Sequence, residues 1–122
     1  MNEIKLWGWD KKPRTMLRYI KSGDIFCFKE SNELYRFGRI IAKIATGHVA
    51  EILDYTSSTP AADEKSIVNA SRAIPPLVLD SYGLFDRKDE PESDWRIIGH
   101  QDNYAPEDAH DIFFTYGLDP FF

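Results

Sequence analysis

The chain has 122 residues, 43% apolar and 29% charged, which suits one domain with a real hydrophobic core and excludes a disordered chain. Cys27 stands alone, excluding an intrachain disulfide, and residues 1–12 contain no apolar stretch long enough for a signal peptide or a membrane span. The net charge of −5 divides unevenly: residues 1–61 hold 10 Lys/Arg against 7 Asp/Glu and residues 62–122 hold 5 against 13, an acidic half that argues against a nucleic-acid-binding surface and suits a basic protein partner.

Taken together, these features predict a single domain over residues 1–122 in a reducing, cytoplasmic setting, with no membrane association. Ile4 to Trp9 is the first predicted strand, with Ile4 and Leu6 on one face and Trp7 and Trp9 on the other. Thr15 to Ile20 fits either a helical turn or an extended lead-in. Ser22-Gly23-Asp24 is a turn signal, and the run Asp24 to Lys29 behind it sets Phe26 and Phe28 against Ile25 and Cys27 as a strand buried on both faces. A short polar turn, Glu30 to Glu33, predicts that Leu34 to Ile44 returns antiparallel as a hairpin. Gly38 and the adjacent Ile40-Ile41 interrupt its alternation, as a bulge or bend does. After Thr46-Gly47, Val49 to Tyr55 supplies a third strand, with Val49, Leu53 and Tyr55 opposite Ala50 and Ile52.

Three strands joined by short turns form a meander, and a strongly bent meander must close on itself or be covered. The second half supplies the cover. Thr56 to Ala62 reads as a loop and Asp63 to Ala70 as helix-prone, while Pro75-Pro76 separates that helix from a strand at Leu77 to Leu79. Asp86 to Asp94 reads as a charged loop and Trp95 to Ile98 as a short strand. Ala105-Pro106-Glu107-Asp108 reads as a turn or helix start and Ile112 to Tyr116 as a last strand. The expected fold is α+β: a strongly bent, partly barrel-like antiparallel sheet covered by short helices.

Reaction chemistry finds little footing in these residues. His48, His100 and His110 show neither the i, i+4 spacing nor the HExxH pattern of a zinc site, and a solvated acidic turn explains His110 beside Asp108 and Asp111 as well as a metal does. Cys27, mid-strand between two phenylalanines, is expected to be an inert core thiol. The sequence has no P-loop, GxGxxG or GxSxG elbow, and adjacent carboxylates such as Asp89-Glu90 and Glu107-Asp108 are ordinary solvated surface. No catalytic, cofactor-binding or metal residues and no small-molecule substrate are therefore expected. Trp7, Trp9, Tyr35, Phe37 and Trp95 alternate along strands as core residues do. With Arg14, Arg18, Arg36 and Arg39 nearby, a nucleic-acid-binding module built from the basic, aromatic first half is the competing reading. A small hydrolase is a third, requiring a pocket where histidines or carboxylates converge.

Several short motifs carry a resemblance. Gly23-Asp24-Ile25-Phe26, Tyr35-Arg36-Phe37-Gly38-Arg39-Ile40 and Val49-Ala50-Glu51-Ile52, followed by Trp95-Arg96-Ile97-Ile98-Gly99 and Phe113-Phe114-Thr115-Tyr116-Gly117, resemble the immunity protein 26 family of bacterial polymorphic toxin systems. The resemblance implies a cytoplasmic antitoxin that binds the toxic C-terminal domain delivered by a neighbouring cell, as in contact-dependent growth inhibition, and brings no catalytic residues. Many toxins met by such proteins are nucleases, whose substrate grooves are cationic. The expected partner-binding residues are therefore acidic: Asp86, Asp89, Glu90, Glu92 and Asp94, with Asp102, Glu107, Asp108 and Asp111, and exposed Tyr or Trp residues as apolar anchors.

Overall fold

The computed structural model describes residues 3–86 and 94–116. Its centre is the expected meander, β2 (Asp24–Ser31), β3 (Leu34–Ile44) and β4 (Gly47–Ser57). Around it are β1 (Ile4–Leu6), β5 (Leu77–Leu79) and β6 (Trp95–Gln101), giving one open, antiparallel six-stranded sheet in the order β1-β6-β2-β3-β4-β5. The fold is α+β, with a 3-10 turn (Leu17–Tyr19) and the short helices α1 (Glu64–Asn69), α2 (Ser81–Phe85) and α3 (Ala109–Tyr116).

Strand parity sorts the core into two faces. On one, Phe26, Ile40, Ala50, Ile52 and Ile97 pack beneath Ile20 and Phe85, which come from the 3-10 turn region and α2. On the other, Ile25, Cys27, Phe37, Leu53 and Ile98 pack beneath Ile67 of α1, while Ile41, Ala42 and Val49 pack with Ile112 of α3. The alternation expected of β2 and β4 is the one found. The irregularity expected in β3 is present as register shifts between Arg36 and Gly38 and between Ile40 and Ala42. Gly38 is required by close approach, since a Cβ there would lie 2.3 Å from the Phe26 ring and 2.6 Å from the Glu51 carbonyl oxygen.

The structure corrects two local expectations and adds one element. Ile112 to Tyr116 is the C-terminal part of a helix, α3, and not a strand; a run of five residues is too short for periodicity to separate the two. The first strand stops at Leu6, because Gly8 takes a positive φ of 91° and breaks the alternation, so Trp9 joins Ile4 and Leu6 on one face and only Trp7 lies on the other. The segment after β5 holds the helix α2, capped by Asp80, whose carboxylate accepts from the Gly83 amide at 3.2 Å.

Candidate partner-binding surface

A buried polar network occupies the sheet face shared by α1 and α3. Arg39 on β3 and Glu51 on β4 are register partners, which aims both side chains the same way. Arg39 donates from Nε to Glu51 Oε2 at 2.9 Å and from Nη1 to Gln101 Oε1 at 2.8 Å, and its guanidinium lies 4.0 Å over the Tyr104 ring. The Tyr104 hydroxyl donates to Glu51 Oε2, and burial with this carboxylate contact pushes its pKa above the ordinary phenol value. Arg72, from the segment after α1, donates to Glu51 Oε1 at 3.2 Å and to Asp108 at 2.6 and 3.1 Å. The Asp108 contact, followed by Glu51, raises the Arg72 pKa, and Arg72 in turn lowers that of Asp108. The network ties β3, β4, β6 and the approach to α3 together. An open pocket of about 350 Å³ lies against it, lined by Arg39, Glu51, Arg72, Tyr104 and Asp108 among others.

The expected acidic residues do not form one patch. Asp94 and Asp102 flank β6 at its opposite ends, roughly 25 Å apart for a strand of this length. Asp94 is exposed. At the far end Asp102, Glu107 and Asp111 are exposed, and no Lys or Arg follows Arg96 in the sequence. Asp102 Oδ1 lies 3.1 Å from His100 Nε2, while His100 Nδ1 meets the buried Asp24 at 2.8 Å. Two members are engaged internally. Asp108 holds Arg72, and Asp86 is buried, accepting from Arg14 at 2.5 Å and from the Leu17 amide at 2.7 Å. Asp89, Glu90 and Glu92 lie outside the described residues.

The residues of the nucleic-acid alternative are dispersed or consumed. Phe37 is fully buried, Arg39 is bound to Glu51, Arg36 to Glu30 at 3.2 Å and Arg14 to Asp86. Cys27 is fully buried, and burial pushes its thiol up to about 12. His48 meets the Ser81 hydroxyl at 2.6 Å with both side chains fully buried, and the pair braces β4 against α2. Among the described residues no three His, Cys, Asp or Glu side chains converge as metal ligands, and no helix is long and apolar enough to cross a membrane.

Composition gave no sign of the Arg39–Glu51–Arg72 network. Its one sequence signal is parity: Glu51 falls on the same strand face as Val49 and Leu53, so its carboxylate had to be buried and paired.

The sheet is open and braced by internal ion pairs, and carboxylates are exposed at both ends of β6. The family model described as Immunity protein 26 matches residues 21–119, and the chain belongs to that family. Its general role is that of an immunity protein, which binds a cognate toxin. No curated protein and no solved structure matches it.

Proposed function

We propose that this chain neutralises the C-terminal toxin domain of a polymorphic toxin of the contact-dependent growth inhibition type, and that this domain is a basic nuclease. The protein acts from the cytoplasm as a single domain, by occupying or overhanging the toxin's substrate groove, without turnover of its own. The supporting observation is the carboxylate surface at the β6–α3 connection, where Asp102, Glu107 and Asp111 are exposed and the nearby arginines are engaged, Arg39 by Glu51 and Gln101 and Arg72 by Glu51 and Asp108. A nuclease groove has to be cationic to hold a polyanion, and an anionic surface of this kind steers such a groove into encounter. Steering raises association above the neutral range of about 10⁵–10⁶ M⁻¹s⁻¹, which lets an inhibitor act before the toxin turns over.

The charges assigned to steering are Asp89, Glu90, Glu92 and Asp94 with Asp102, Glu107 and Asp111. Asp86 and Asp108 contribute through the fold. The test is association kinetics, over a range of salt, between the chain and a catalytically inactive form of the toxin domain encoded beside it. Reversing Asp89, Glu90 and Glu92 to lysine slows association and flattens its salt dependence. Unchanged rates and salt slope would show that the steering face lies elsewhere.

A further inference from the structure

The 3-10 turn and α2 cover their face of the sheet at one end, through Ile20, Leu17, Leu84 and Phe85. At the other end lies a groove of about 460 Å³, whose walls include Phe28, Ile52, Ile74, Leu77 and Trp95 and to which neither covering element contributes. Phe28 and Trp95 are register partners on β2 and β6, and their rings stack 4.0 Å apart at 7°. Trp95 is further fixed by Phe26 at 5.7 Å and Phe85 at 6.2 Å, so the aromatic wall is rigid before anything binds. Ile74 forms the opposing lip and is 48% exposed.

The rim is acidic. Among the described residues Arg36 is the one cation in the lining and is already engaged, donating to Glu30 at 3.2 Å and to the Leu53 carbonyl at 3.2 Å. Asp54, 75% exposed, lies 3.9 Å from the same guanidinium. Two carboxylates thus share one arginine, and the exposed Asp94 precedes Trp95 at the groove's edge.

We infer that this groove is where the toxin domain is anchored: it takes an apolar side chain of the toxin that is flanked by a lysine or arginine. The inference rests on the toxin-neutralising reading above and adds the docking point to it. Preformed aromatic pockets with a charged rim are where interface energy concentrates, because the inserted side chain is fully desolvated while the rim excludes water. The two surfaces then divide the work. Carboxylates on the rim and beyond it set the rate of encounter, and the apolar walls of the groove set residence time.

The test uses the full chain and the inactive toxin domain. Ile74→Asp places an unpaired charge in the groove wall at an exposed position, and Asp54→Lys reverses the rim with no core contact at stake. Ile74→Asp is expected to accelerate dissociation at least about tenfold with association within about twofold, whereas Asp54→Lys both slows association and accelerates dissociation. Dissociation unchanged in both variants, with wild-type binding intact, overturns the groove and leaves the neutralising role standing. Failure of the wild-type chain to bind the toxin domain overturns both. A wild-type chain that is dimeric alone and becomes monomeric on Ile74→Asp makes the groove a self-interface and likewise overturns the assignment.

Discussion

Arg39→Ala should be among the most damaging single substitutions in this protein. The Arg39 and Glu51 side chains are 7% and 4% exposed, so the pair is out of water on both sides. Removing the guanidinium deletes the 2.9 Å bond to Glu51, the 2.8 Å bond to Gln101 and the stack on Tyr104. Glu51 then keeps a buried negative charge with only Tyr104 and the more distant Arg72. Breaking a buried pair from one side costs about 3–5 kcal/mol, because the surviving charge is stranded. Set against a total stability of about 5–15 kcal/mol, this is a large fraction. For a chain of this length it lowers Tm by roughly 10–20 °C. Arg72→Ala provides the contrast: its side chain is 22% exposed and that of its other partner, Asp108, 43%, so water takes over much of the interaction and the loss is about 1–2 kcal/mol. Urea denaturation of both variants, with unchanged m-values, measures the difference. Equal losses below about 1 kcal/mol would refute the reasoning, since Glu51 would then be solvated.

Stability should also fall with acid through His48. Burial, the largest cause, holds its folded pKa below the ordinary 6.5, so below about pH 6.5 the unfolded chain takes up a proton that the folded one does not. His48 thus contributes stability above that pH and loses it below, and His48→Asn, which keeps a donor toward Ser81, should flatten the slope of stability against pH there. An identical slope in the variant would show that His48 does not titrate on unfolding. The Cys27 thiol, buried and pushed up to about 12, should react with a thiol reagent near neutral pH only as fast as the protein unfolds; rapid labelling of the native state would contradict its place in the core.

Much of the fold was legible because local signals agreed. Ser22-Gly23-Asp24, the polar turn before Leu34 and the Gly38 break are each tied to one position, and β2, β3 and β4 follow them closely. The helix α3 was not legible, since Ile112 to Tyr116 suits either period and only packing on Ile41 and Val49 decides. Gly83 hid α2 behind a residue that normally interrupts helices, though Asp80 three positions earlier was the cap that gives it away. The acidity of the second half was visible as a count. Its division between the two ends of β6, and the use of Asp86 and Asp108 inside the fold, depended on strand register and long-range pairing that composition does not encode. The same holds for Phe28 and Trp95: each reads as core, and only the β2–β6 register sets them side by side as a groove wall.

The central claim is that this member of the immunity protein 26 family works by holding a basic toxin domain. Co-expression of the chain with its cognate toxin domain, followed by purification and a growth assay, tests this most directly. The account predicts a stable stoichiometric complex and cells that survive the toxin only when the chain is present. Separate elution of the two proteins and no protection would contradict it.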